Sequence, residues 1–189
     1  MKLTFLLSLL MVCNIGIAQF KTIPVDSLSK KVLFTEIVLV DSTSKSVLYS
    51  RAREWFVHTF KSADDVIQME DKESGKIIGK AYSEITLPPI LGVTTVTKMY
   101  FTISVFLKDN RFKYEIGGIF YKSNPTAQAP SQETTPEDWY NPETKMYKSN
   151  GKEKPINRGY YDRTLESINS IIKSLKSAMS LNTKKEDGW

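Results

Sequence analysis

Residues 47–81, VLYSRAREWFVHTFKSADDVIQMEDKESGKIIGKA, join an aromatic helix to a strand pair and decide the fold. At 100° per residue, an apolar stripe runs along one side of residues 46–60, and the charged residues lie elsewhere. This stripe consists of Leu48, Ala52, Trp55, Phe56 and Thr59. Residues 66–70 and 76–87 have the composition of strands, and the polar stretch 71–75, which ends in glycine, is typical of a hairpin. The segment predicts a surface helix followed by a β-hairpin.

One further strand is predicted before this segment and two are predicted after it. Residues 32–40 alternate β-branched and polar positions, which predicts a strand before the helix. A second strand pair is predicted over 99–107 and 111–121, with alternate residues facing inward. Gly117 and Gly118 lie inside its second strand and predict a bulge or a close approach of another backbone.

The chain ends with an apolar stripe at helical spacing, which predicts a helix over 162–181. The stripe consists of Leu165, Ile168, Ile171, Ile172, Leu175, Ala178 and Met179. Residues 19–31 are a polar lead-in, 122–158 a Pro-rich loop or insertion and 182–189 a charged tail. The order of elements, β-α-β-β-β-β-α, predicts an α+β domain whose antiparallel sheet carries both helices on one face.

Three short segments carry a resemblance to a known family. They are SRAREWF at 50–56, KSADDVIQ at 61–68 and GKIIGK at 75–80. With the apolar segment before them, they resemble an exported bacterial family of the Bacteroidota that is known only as a domain of unknown function with a TBP-like fold. The resemblance covers roughly residues 32–121. It implies a TBP-like core and export from the cytoplasm, and it supplies no catalytic or binding residues.

The first 18 residues have the layout of a cleavable signal peptide. Lys2 precedes the apolar run 3–12, and small residues before Gln19 predict cleavage after Ala18. An alternative makes Cys13 the lipid-bearing first residue of a lipoprotein, although Val12 is bulky for such a site. Cleavage removes the only cysteine and one of the 26 basic residues, which leaves a modest positive charge. We expect a soluble periplasmic or secreted protein without a transmembrane segment, disulfides or a cysteine nucleophile.

No motif in the sequence predicts catalysis, a cofactor or a metal site. His58, the only histidine, lies four residues after Glu54 on the helix and is interpreted as its surface partner. The carboxylates of 64–73 lack the spacing of a calcium loop and are interpreted as solvated turn charges. Residues 75–80 have neither the glycine spacing nor the following helix of a phosphate-binding loop. The absence of a basic stripe or a nucleic-acid motif also argues against nucleic-acid binding.

The sheet face opposite the helices provides the one functional hypothesis. Its predicted residues include Ile78, Tyr82, Tyr100 and Phe106, an apolar set that on a soluble domain marks an interaction surface. The favoured interpretation is a non-catalytic binding or accessory module with a protein or peptide partner in the cell envelope. Alternatively, segment 122–158 folds back and covers that face. Two further alternatives are an envelope hydrolase that uses carboxylates or a Ser/Lys pair, and a module that self-associates through this face or the sheet edge.

Overall fold

A computed structural model of the chain describes residues 19–60, 66–90, 92–123, 130–139 and 146–180. Its elements in chain order are β1 (Leu33–Leu39), α1 (Lys45–Thr59), β2 (Ile67–Asp71), β3 (Lys76–Ile90), β4 (Val93–Lys108), β5 (Arg111–Lys122), β6 (Glu133–Thr134), α2 (Pro136–Trp139) and α3 (Pro155–Met179). The strands pair antiparallel in the order β1-β5-β4-β3-β2, and β6 pairs with the end of β5. The predicted α+β arrangement is confirmed, and β6 and α2 are additions to it.

Alternation along the strands separates two sides of the sheet. In β4 the odd-numbered side chains from Met99 to Leu107 are buried, and the even-numbered ones from Lys98 to Phe106 are half-buried. Successive side chains of a strand point to opposite faces, so the odd set packs under the helices. We call the other side, which turns away from α1 and α3, the open face.

Helix α1 connects the two edges of the sheet by crossing its helical side. The Ser44 hydroxyl caps the helix by accepting a hydrogen bond from the Val47 N–H, at 3.4 Å. Its predicted apolar stripe is confirmed, because Leu48, Ala52, Trp55 and Phe56 are all buried.

Helices α1 and α3 are joined by two hydrogen bonds besides their apolar contacts. The Trp55 indole donates to the Ser174 hydroxyl at 3.0 Å, and the Arg51 guanidinium donates to the Met179 carbonyl at 2.7 Å. The second bond satisfies a carbonyl of the last turn of α3, which has no partner within the helix.

Helix α3 begins at Pro155, seven residues before the predicted start at 162. Proline is suited to the first helical position because its missing N–H would have no partner there. The early turns are held by tertiary contacts instead of an apolar stripe. A Cβ added at Gly159 would lie 2.4 Å from the Pro88 side chain, and the Tyr160 ring stacks on Trp139 with centroids 4.8 Å apart. The prediction of a loop over 155–158 is therefore wrong.

The lead-in 19–31 forms no helix or named strand, yet part of it packs on the helical layer. The Phe20 N–H donates to the Asn169 side-chain oxygen, and the Asn169 amide donates back to the Phe20 carbonyl, each at 2.9 Å. The Phe20 ring also meets Phe34 edge-on, with centroids 5.1 Å apart. Residues 1–18, with the predicted signal peptide, and tail 181–189 lie outside the described residues.

Candidate functional site

All four residues of the predicted binding surface lie on the open face. The Tyr82 side chain is 50% exposed, and Ile78, Tyr100 and Phe106 are half-buried. Tyr82 is directly opposite Tyr100 in the β3–β4 pair, with ring centroids 5.5 Å apart. Phe106 lies six residues further along β4, about 20 Å away at the usual rise of a strand. The structure therefore separates the four into a tyrosine pair, a distant phenylalanine and Ile78, which is paired with Ser104 between them.

A third ring, Phe120 of β5, joins the tyrosine pair. Its centroid is 4.9 Å from that of Tyr100, and the two ring planes differ by 6°. We call Tyr82, Tyr100 and Phe120 the aromatic row. The row crosses three neighbouring strands and presents its rings on a sheet side that no helix of the described ranges covers.

Phe120 was absent from the sequence prediction because a bulge reverses the alternation of β5. Tyr100 is paired with Phe120 but Thr102 with Gly117, so three steps along β5 match two along β4. Gly118 takes a φ of +59° inside this bulge, a conformation that suits glycine. Even-numbered residues before the bulge face the helices and those after it face outward. The bulge predicted at Gly117 and Gly118 is confirmed. These two glycines were the sequence signal that could have placed Phe120 on the open face.

Lysines surround the aromatic side chains of the open face. The Lys98 ammonium lies 4.6 Å from the Tyr82 ring centroid, within the range of a cation–π contact. Lys76 and Lys113 each lie 5.7 Å from the Phe106 ring. Within the described part of the chain, Lys113 pairs with Glu115, whereas Lys76, Lys80 and Lys98 form no ion pair with a carboxylate. The face therefore combines apolar rings with lysines, and it also carries Glu84, which lies directly opposite Lys98 in the β3–β4 pair.

A groove of about 890 Å³ lies along the aromatic row. Lys80, Tyr82, Tyr100, Thr102 and Phe120 line it on the open face, and its lining continues to Thr59 and Phe60 at the end of α1 and to Val66 just before β2. Strands β3, β4 and β5 thus contribute most of the lining residues. Its size and mixed lining suit a side chain or a short peptide segment.

Within the described ranges, strand β3 has no paired strand along part of its outer edge. Strand β2 is paired with β3 only as far as Gly79, whereas β3 is paired with β4 up to Leu87 and again at Ile90. Among the described residues, no strand pairs with the outer edge from Lys80 to Thr86. Pro88 and Pro89 follow this stretch and have no N–H to offer. Such an edge is a template for strand pairing.

The polar clusters on the helical side are satisfied internally. The Glu36 carboxylate accepts hydrogen bonds from the Tyr114 hydroxyl at 2.8 Å and from the buried Lys176 ammonium at 2.7 Å. Burial, together with the Glu36 carboxylate, raises the pKa of Tyr114 far above its usual value. A second cluster joins Glu70 to Arg53 at 3.0 Å and to the Tyr49 hydroxyl at 3.3 Å. These contacts hold β1, β2 and the helices together.

The remaining chemical candidates of the sequence lie at the surface or in turns. The Asp71 carboxylate accepts from the N–H groups of Glu73 and Ser74, at 2.9 and 3.1 Å, and so shapes the β2–β3 turn. Asp64 and Asp65 lie outside the described residues, and His58 is exposed on α1. Among the residues with described positions, no group of three His, Cys, Asp or Glu side chains is placed to hold a metal ion.

The described parts of segment 122–158 contact the helical side and the β1 edge. Trp139 stacks on Tyr160, Met146 is buried, and the Glu137 carboxylate accepts from the Val32 N–H at 2.8 Å. Tyr147 is 43% exposed, and Tyr140 lies outside the described residues. In the described ranges, the segment's tryptophan thus packs against α3 and not against the aromatic row.

Comparison with known proteins places this architecture in a family. Residues 34–122 match the model of a domain of unknown function (DUF4468) with TBP-like fold. Residues 34–122 belong to this family. The matched DUF4468 region runs from β1 to the end of β5, so it contains the whole aromatic row and the outer edge of β3. No protein of curated function matches the chain.

Two crystal structures share the fold of the DUF4468 region and of the elements around it. A DUF4468 family protein from Bacteroides ovatus has a TM-score of 0.68 and 16% identity, over 90% of this chain and 95% of its own. A TBP-like protein from Parabacteroides distasonis has a TM-score of 0.61 and 18% identity, over 83% of this chain and 96% of its own. Such likeness shows the fold alone. No helix in the described ranges is long and apolar enough to span a membrane.

Proposed function

We propose that this protein is a non-catalytic binding module of the cell envelope, exported by residues 1–18, whose open face binds a protein or peptide partner. The observation that carries the proposal is the aromatic row, whose rings are in contact and partly exposed and which is flanked by lysines that form no ion pair within the described residues. Aromatic side chains give large binding contributions at small entropic cost, and unpaired cations attract carboxylates. The clusters of the helical side are already occupied by internal hydrogen bonds and ion pairs.

Site-specific photo-crosslinking in living cells tests the binding surface. A photoreactive phenylalanine derivative replaces Tyr82, which is 50% exposed on the open face, and in a control replaces Val57, which is 42% exposed on α1. We expect a discrete product from position 82 and none from position 57. Excess wild-type protein should compete for this product, and the Tyr100→Ser/Phe120→Ser variant should not.

Two results would count against the proposal. Equal products from both positions would indicate nonspecific contact, and a crosslink from position 82 only to segment 122–158 would show that the open face is covered within the chain. A product of twice the protein's own mass would instead assign the face to self-association. Export is tested separately, because N-terminal sequencing of the protein recovered from cells should begin at Gln19.

A further inference from the structure

We propose that the outer edge of β3, from Lys80 to Thr86, binds an extended peptide segment of a partner as an added antiparallel strand. This inference rests on the proposed binding function and specifies the kind of partner and how it is held. The edge and the aromatic row share Tyr82, whose ring lies in the row and whose backbone lies on the edge. An added strand would therefore place every second side chain beside that row.

The hydrogen-bond pattern of β3 shows which backbone groups face outward. The Leu107 N–H donates to the Gly75 carbonyl at 2.7 Å, so odd-numbered residues of β3 carry the bonds to β4. Even-numbered residues then turn their N–H and C=O groups to the other side. Asp71 and Met69 of β2 are accordingly paired with Lys76 and Ile78. Where β2 has ended, the backbone N–H and C=O groups of Lys80, Tyr82, Glu84 and Thr86 point outward from the edge of β3 at regular intervals.

A groove on the helical side leaves room for the other side chains of an added strand. It has a volume of about 500 Å³ and lies between the β3 edge and α3. Its β3 wall is Ser83 to Thr86, and its α3 wall is formed by Arg163, Glu166, Ser167 and Ser170. Arg163 and Glu166 pair with each other at 2.7 Å, and the serines are short. Small or polar side chains of a peptide fit this space.

The position of β2 favours a peptide over a second copy of the chain. Suppose that two copies of the chain paired their β3 edges antiparallel, with the centre of the pairing between Lys80 and Thr86. The end of each β3 would then extend beyond Lys80 of the other copy. The place beside Gly79 is already taken by Ile67 of β2. Both continuing strands would therefore collide with β2. A segment of about seven residues, or one that turns away at Lys80, meets no such obstacle among the described residues.

Charges on the open face define the chemistry of the peptide. Lys80 and Lys98 flank Tyr82 and form no ion pair with a carboxylate within the described ranges, and Glu84 lies on the same face directly opposite Lys98. A peptide with an aromatic or β-branched residue opposite Tyr82 and an acidic residue opposite Lys80 would match both features. The partner segment is thus extended, apolar at its centre and acidic at the end nearest β2.

The test uses residues 19–189 and a phage-displayed library of random peptides of about eight residues, a length that matches the free edge. Selected peptides are synthesised, and binding is measured to the wild type and to two variants at one position. Glu84→Pro removes an outward N–H and blocks the edge without removing a bond to β4. Glu84→Ala removes the same side chain and keeps the N–H. We expect affinity to fall about tenfold or more for Glu84→Pro and less than about threefold for Glu84→Ala.

Amide hydrogen exchange on the wild type gives a second readout that needs no variant. Saturating peptide should slow exchange at Lys80, Tyr82, Glu84 and Thr86, and should leave the already bonded amides of Ala81 and Ser83 unchanged. Protection at these four amides that rises with protein concentration alone would assign the edge to a second copy and overturn the peptide proposal.

Other outcomes separate this inference from the proposed function. Peptides that bind Glu84→Pro as well as wild type but lose affinity for Tyr100→Ser would overturn strand addition and leave the open face as the binding surface. A library that yields no binder, while Tyr82 still crosslinks a partner in cells, would overturn the inference alone. Failure of both experiments would overturn both proposals.

Discussion

Tyr100 and Phe101 are neighbours in β4 with side chains on opposite sides of the sheet, and their replacement by alanine should have unequal effects. The Phe101 side chain is 2% exposed among buried residues. Truncation of a buried phenylalanine costs about 3–5 kcal/mol of the free energy of unfolding. Tyr100 makes two ring contacts, with Phe120 and Tyr82, at 4.9 and 5.5 Å. At about 0.5–1.5 kcal/mol for each aromatic pair, we expect Tyr100→Ala to cost about 1–3 kcal/mol.

Urea denaturation followed by circular dichroism measures both variants under the same conditions. Both residues lie in β4 and both are replaced by alanine, so the loss of strand propensity is similar in the two variants. If the slope of the unfolding free energy against urea concentration is also equal, the difference between the two denaturation midpoints reports the difference in burial of the two side chains. A cost for Tyr100→Ala that equals the cost for Phe101→Ala would show that the open face is covered and part of the core. That result would refute the reasoning behind the binding surface.

Three further predictions concern the helical side and are measured by the same denaturation experiment. Lys176→Met leaves Glu36 without its cation and should lower the free energy of unfolding by about 1–3 kcal/mol. This is less than for a fully buried pair, because the Glu36 side chain is 34% exposed. Adding Glu36→Gln to the Lys176→Met variant should recover part of the lost stability. Gly159→Ala should destabilise the protein although alanine favours helices, because its Cβ would meet Pro88 at 2.4 Å, and Pro88→Ala should relieve the effect. The pKa of Tyr114 in the folded protein is higher than the usual 10.0, so the unfolded chain loses this proton first as the pH rises. The free energy of unfolding should therefore decrease above this usual pKa, and Tyr114→Phe should lack this part of the decrease.

Local periodicity was sufficient to predict the elements whose residues alternate or recur regularly. The alternation of β4 from Met99 to Leu107 and the stripe of α3 from Leu165 to Met179 are both confirmed. In each case burial of one side follows directly from the spacing of apolar residues. The same reasoning placed Tyr82 and Tyr100 on a face opposite the helices.

Features that depend on register or on distant contacts were not predictable in this way. Phe120 reached the open face through a bulge that shifts the alternation by one residue. The first turns of α3 depend on contacts of Gly159 and Tyr160 with residues far along the chain. The free edge of β3 follows from where β2 stops pairing, at Gly79, and strand composition does not specify that point.

The alternation of β4 also bears on how proteins of this architecture can diverge. A substitution at Tyr100 or Phe106 changes the open face and leaves the buried odd-numbered residues of β4 unchanged. Substitutions at buried residues such as Phe101 and Ile103 would instead disturb the packing under the helices. One strand can therefore acquire a new recognition surface by single mutations while its other side keeps the scaffold, so two members of this architecture need not share a partner.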